Sequence, residues 1–298
     1  MKSGIINVYK EPGYTSFDVV ARLRGILHIK KIGHTGTLDP DATGVLPVCF
    51  GKATKVCDLL TDKEKEYKAV MRLGVTTDTL DLSGKVLTTS LVEVTKEQIV
   101  EAIESFVGDI MQVPPMYSAL KVNGKKLYEL AREGIEIPRE ARPVTIHYID
   151  IVDISLPDVT FVVGCSKGTY IRTLCDDIGK KLGCGAAMAS LIRTQVDVFK
   201  LEDSIDLDTI QKLVNDGTFE DRVYSIDQVF RKYAAVKATE EVQVAVVNGG
   251  HIPVSDTSEF EAGTDSSKVR LYDYMDRFVG IYHVVEDYYK LDKMFLED

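Results

Sequence analysis

The fifteen residues Gly33-His34-Thr35-Gly36-Thr37-Leu38-Asp39-Pro40-Asp41-Ala42-Thr43-Gly44-Val45-Leu46-Pro47 constrain this chain more than any other stretch. Gly33, Gly36 and Gly44 admit backbone conformations closed to other residues. Pro40 pushes Asp39 out of the α region. The centre of the segment therefore reads as a loop. Asp39 becomes a carboxylate presented on a restricted backbone, a common address for a catalytic group. Taken alone, an Asp-Pro in a loop more often caps a turn.

The flanking sequence supplies helices and strands in mixed order. Ser16 reads as an N-cap with Asp18 in the first turn, followed by Val19, Val20, Leu23, Ile26 and Leu27 at helical spacing. Tyr67, Ala69, Met71 and Leu73 alternate with Lys68 and Arg72, as in a strand. Thr95 with Gln98 forms a capping-box pattern ahead of Ile99, Val100, Ile103 and Phe106. Val144 to Ile154 and Val159 to Cys165 are β-rich. Ile171, Leu174, Cys175, Ile178 and Leu182 suit a helix that Gly183 terminates. The segment from Leu201 to about Lys232 is acidic and predicted helical, with Asp208 to Val214 as its core. Beyond it, Val242, Val244, Val246, Val269, Leu271, Val279, Ile281 and Val284 suggest short strands, with Asn248-Gly249-Gly250 as a turn. No regular βαβ beat emerges, so the class is α+β. The change of texture divides the chain into residues 1–232 and a small β-rich domain, 233–298. A length of 298 residues fits two domains.

A net charge of −10 speaks against simple electrostatic binding to RNA. The charge is segregated, however. Arg22, Arg24, Lys30 and Lys31 fall in Val19–Leu38 without an acid, whereas Leu201–Gln228 is strongly acidic, so a local basic surface remains open. Cys49, Cys57, Cys165, Cys175 and Cys184 show no zinc-type pairing and read as small apolar residues in a reducing compartment. No signal peptide or membrane span is legible, and a cytoplasmic protein is expected.

The Gly33–Pro47 segment resembles the central motif of the TruB family, G-H-T-G-x-L-D-P-x-A-x-G-x-L-P, at every fixed position. Further segments resemble that family in order. Lys10, Pro12-Gly13 and Thr15-Ser16 resemble its N-terminal motif, with Glu11 intervening and the proline one place late. Lys65-Glu66-Tyr67-Lys68-Ala69, with Thr77-Asp78-Thr79-Leu80-Asp81 after it, resembles the tyrosine motif. Gln112 to Lys121 and Pro138 to Pro143 resemble the borders of an RNA-gripping insertion, placed at about 121–143. Ser166 to Leu174 and Leu191-Ile192-Arg193-Thr194 complete the set.

The resemblance implies a pseudouridine-synthase fold with a mixed, largely antiparallel sheet and a PUA-like RNA-binding C-terminal domain. It implies isomerisation of uridine 55 in the tRNA T-loop to pseudouridine by base flipping. Asp39 is implied as the catalytic carboxylate, with Arg172 orienting it. Tyr67 and Tyr170 would offer surfaces for the flipped base, Tyr67 also a phenol for proton relay, and Leu191 the apolar side of the pocket. His34 would touch the RNA, and Lys10 would support the loops of the binding site. Lys121, Lys125, Lys126, Arg132, Arg139 and Arg142 would grip the T-arm. No metal and no cofactor is implied, and no coiled coil or long apolar edge is visible, so a monomer needing no protein partner is expected. The chemistry leaves open attack at the sugar C1′, attack at the uracil C6, and glycal elimination. Alternatives are a noncatalytic tRNA-binding or tRNA-folding protein, the same reaction on another uridine, or a hydrolase pairing Asp39 with Asp41.

Overall fold

The computed structural model describes residues 3–61, 63–122 and 124–296. Met1, Lys2, Asp62, Asn123, Glu297 and Asp298, and so the extreme ends of both expected domains, lie outside the described residues.

A ten-stranded sheet forms the frame. Its main path runs Val223–Tyr224, Gly4–Lys10, Thr43–Phe50, Ala186–Val196, Lys65–Leu73, Asp158–Cys165, Arg142–Ser155, Gly108–Gln112. Ile32–His34 adds to Thr43–Phe50, and Phe199–Lys200 to Ala186–Val196. Among the described residues, the strand pairings of this sheet are antiparallel except the central one, where Thr43 and Gly44 run parallel to Ile192 and Arg193. The sheet is mixed and largely antiparallel, as expected. Lys65–Leu73 shows why: Lys65, Tyr67, Ala69, Met71 and Leu73 are buried in strict alternation, so one face of the strand enters the core. That face meets Leu174, Cys175 and Ile178 of the helix Ile171–Leu182, which Gly183 ends at φ 78°. The helix Lys96–Glu104 carries the expected Thr95–Gln98 capping box and covers the same core with Ile99 and Ile103.

The first helix corrects one expectation. It spans Ser16–Leu27, but Thr15 is its N-cap, exchanging hydrogen bonds with Asp18. Thr15 holds the extended backbone that a cap requires, while Ser16 is already helical. The Ser16 hydroxyl instead accepts from the Leu38 N–H at 3.0 Å.

The stretch 201–232 is only partly helical. Leu207–Asp216 is an α-helix, but short 3₁₀ turns flank it and Val223–Tyr224 extends the main sheet. Residues 240–247 are helical rather than strand-like, and Gly249 at φ 67° ends that helix rather than joining two strands. The short valine run misled because alternation over so few residues does not separate a strand from a buried helical turn.

After residue 232 a six-stranded sheet curls on itself, in the order Ile252–Pro253, Tyr288–Met294, Phe278–Val285, Asp265–Tyr272, Tyr233–Ala238, Thr257–Glu261. It shares a core with the large sheet. Ile5, Val45, Cys49, Ala53 and Val56 pack with Phe230, Tyr233, Ile281 and Phe295. Phe230, Phe278 and Phe295 form a ring stack, with centroids 6.2 and 5.8 Å apart. Cys57 is half-buried and the other four cysteines are buried. No helix among the described residues is long and apolar enough to cross a membrane.

Phe295 is 2% exposed at this junction. Phe295→Ala is expected to cost about 3–5 kcal/mol and to lower the stability of the whole chain. Urea unfolding followed by far-ultraviolet and tyrosine signals should show one shifted transition. A split in which only one part of the chain softens would contradict the shared core.

Candidate active site

The Asp39 loop is fastened from two sides by buried cations. Lys10, fully buried, donates from Nζ to the carbonyls of Pro40 (2.9 Å), Tyr14 (2.7 Å) and Glu11 (3.0 Å). The intervening Glu11 thus supplies a carbonyl to this lysine instead of displacing it. Arg193, 1% exposed, donates to Val45 O (2.7 Å), Gly36 O (3.2 Å) and Thr37 O (3.4 Å). Gly44, at φ 102°, lies so close to the Arg193 backbone that a Cβ would fall 2.2 Å from its carbonyl oxygen. Glycine is therefore required there for both conformation and space.

Arg172 grips the carboxylate itself. It sits in the first turn of its helix, buried, with Nε 3.0 Å from Asp39 Oδ2 and one terminal nitrogen 3.3 Å from Oδ1. Its other donors reach Tyr117 O (2.8 Å), Thr79 O (3.0 Å) and the Asp81 carboxylate (3.5 Å). A cation at a helix N-terminus opposes the helix dipole. Two carboxylates and two carbonyls offset that here.

Asp39 opens into a cavity of about 580 Å³ lined also by Tyr67, Tyr117, Tyr170, Leu191 and Arg193. Burial pushes its carboxyl above the usual carboxylate range; Arg172 opposes this and Asp81 reinforces it. Burial likewise raises the phenols of Tyr67 and Tyr170, so both are neutral at pH 7. Tyr67 and Arg193 are direct cross-strand partners, and the guanidinium beside the phenol partly counters its burial. Tyr170 is anchored by its backbone, whose N–H and C=O both bond the Gln112 side chain.

The structure thus gathers Asp39, Arg172, Tyr67, Tyr170 and Leu191 around one cavity. Lys10 lies beneath the loop, outside the cavity lining. His34 lies beside it, its Nδ1 accepting from the Gly36 N–H at 3.3 Å. Burial lowers its pKa, which keeps the imidazole neutral with the proton on Nε2. Asp41 is exposed and does not pair with Asp39 across the cavity. The basic residues of 121–143 form a hairpin, Lys121–Val122 with Lys125–Lys126, and a helix, Leu127–Arg132. Lys126 and Arg132 flank the Tyr128 ring, at 5.3 and 5.4 Å. Lys125 and Arg139 pair with Glu133 and Glu136. Only Arg142 of this set borders the cavity.

Sequence reasoning gave no role to Asp81 and Arg193, although both stand inside motif segments. A role for each was signalled only by the company it kept.

The sign of the Lys10 titration is testable. Burial brings its pKa down to about 8, against about 10.4 in an unfolded chain. Between those values the folded state holds fewer protons, so stability from this group rises with pH. The unfolding free energy of the wild type relative to Lys10→Met should therefore grow from pH 7 to 10. A flat difference would contradict the buried charge.

Comparisons with known proteins point to a single family. A family model described as TruB family pseudouridylate synthase (N terminal domain) matches residues 24–171. A second, tRNA pseudouridylate synthase B C-terminal domain, matches 172–232. The tRNA pseudouridine synthase B of Lachnoclostridium phytofermentans is 51% identical, covering 99% of this chain and 100% of the relative. That of Clostridium acetobutylicum is 46% identical, covering 98% and 99%. Among solved structures, a chain of a Cbf5-Nop10-Gar1 complex is 30% identical with TM-score 0.76, covering 99% of this chain and 85% of that one. A chain of an H/ACA RNP bound to a substrate RNA containing 2'-deoxyuridine is 28% identical with TM-score 0.75, covering 99% and 85%.

Proposed function

The chain belongs to the TruB family of pseudouridylate synthases, and from that premise we propose that it converts uridine 55 of the tRNA T-loop to pseudouridine, with Asp39 as the catalytic carboxylate. One observation carries the reading: a carboxylate gripped by a buried arginine at the wall of a tyrosine- and leucine-lined cavity. A stacked base cannot present its glycosidic bond to such a recess, so the uridine must be flipped into it.

The reaction breaks C1′–N1, turns the uracil, and forms C1′–C5, with the C5 hydrogen leaving as a proton and N1 taking one up. Asp39 stands to attack C1′ or C6, or to take a sugar proton on the glycal route. Arg172 keeps it ionised and aimed. Tyr67 and Leu191 bracket the free uracil, and the neutral Tyr67 phenol is the cavity group suited to relaying the C5 proton. Tyr170 adds a second aromatic wall. His34 meets the RNA outside the cavity, and Lys10 supports the loop from below. Residues 1–232 serve as the catalytic domain. Lys121, Lys125, Lys126, Arg132, Arg139 and Arg142 in the 121–143 insertion contact T-arm phosphates, and 233–298 form a PUA-like RNA-binding domain.

The test is pseudouridine formation on an unmodified T-arm transcript, mapped to the nucleotide. Wild type should modify the T-loop uridine. Asp39→Asn should keep RNA binding and lose turnover by roughly 10⁴-fold or more. Tight binding without product by wild type would favour a tRNA-binding protein; product elsewhere would change the substrate.

The pH dependence has a definite sign. Asp39 must be ionised, Arg172 lowers its pKa and Asp81 raises it. Arg172→Met should move the acid limb of single-turnover rate to higher pH, and Asp81→Asn to lower pH. Shifts in the opposite directions would remove Asp39 from the titrating role.

A further inference from the structure

Phe17 is 70% exposed, an unusual setting for a phenylalanine on a helix of a folded chain. Its ring stands edge-on to His34, with centroids 5.5 Å apart and planes at 87°. It adjoins Ser16, whose hydroxyl bonds the backbone of Leu38 beside Asp39. An open aromatic face thus stands next to the cavity loop, held in place by the same contacts that hold the loop.

The helix continues this surface. Phe17, Ala21, Arg24 and His28 recur at helical spacing, all exposed. Arg24 carries no ion pair among the described residues, and Arg22, Lys30 and Lys31 add positive charge with no acid from Val19 to Leu38. Gly25 flanks the same face. Gly25 lies in the last turn of the helix Ser16–Leu27, where glycine is still unfavourable relative to alanine, and a Cβ there would meet nothing within 4 Å. Nothing among the described residues calls for a glycine there, which fits close approach from outside.

We propose that this face is a second RNA contact, in which Phe17 stacks on a nucleobase neighbouring the flipped uridine and the strand then runs past Gly25 to Arg24. The proposal rests on the RNA-isomerase reading above. The aromatic ring suits a base face of any identity; the bare helix backbone and the cation suit the phosphates beside it.

Binding of a T-arm stem-loop, and of versions with one loop nucleotide made abasic, tests it directly. Phe17→Ala should weaken binding about tenfold, Phe17→Trp should preserve it, and Phe17→Leu should not restore it. One abasic RNA should lose a similar factor with wild type and nothing more with Phe17→Ala. Arg24→Ala should lower the salt slope of binding by about one. Gly25→Ala should raise thermal stability while weakening RNA binding. Wild-type affinity in Phe17→Ala, full rescue by leucine, or additive losses at every abasic position would overturn the stack. Unchanged affinity in Gly25→Ala would overturn the strand path. Turnover of the wild type on the same RNA reports separately on the isomerase reading, because the stack is judged by binding alone.

Discussion

Two buried cations that donate to main-chain carbonyls hold this molecule's chemistry in place. Lys10 and Arg193 enter from opposite sides of the Asp39 loop, and together they occupy carbonyls of Gly36, Thr37, Pro40 and Val45. A buried charge is costly unless its donors are satisfied. The loop cannot shift without orphaning them, so the desolvation cost of two cations becomes rigidity at a glycine-rich segment. The sheet follows from the same constraint: its single parallel pairing is where Gly44 lies flat against Arg193.

On that base, Arg172 sets the electrostatics. It lies between two carboxylates, Asp39 and Asp81, and the cavity desolvates the former. Burial and Asp81 favour the proton on Asp39; Arg172 favours its loss. Asp39 is thereby poised nearer to neutrality than a surface carboxylate. The two buried aromatic walls of the cavity, Tyr67 and Tyr170, are neutral.

The acidic chain keeps its cations local. Lys10, Arg172 and Arg193 are buried around the Asp39 loop, while Arg22 and Arg24 are exposed on the first helix and Lys121, Lys125 and Arg142 on 121–143. The C-terminal sheet is not an independent bead. Tyr233, Ile281 and Phe295 complete a core begun by Ile5, Val45 and Val56, so its loss would expose apolar surface on the main sheet.

The sequence by itself determined the local elements with strong periodicity or caps: the strand Lys65–Leu73, the Thr95–Gln98 box, the helix ended by Gly183, and the restricted loop bearing Asp39. These depend on neighbours a few residues apart, which a sequence displays. It missed the Thr15 cap, because Thr15 and Ser16 are equally good cap residues and only the Leu38 N–H decides between them. It also misread the valines at 242–246, whose short run fits either period. What only the tertiary structure decided is which charges are buried and whom they serve. Without the family resemblance, Lys10, Arg172 and Arg193 read alike as ordinary basic residues. Their partners are 30, 133 and 148 residues away, and burial at such separations is a property of the folded chain, not of any window along it.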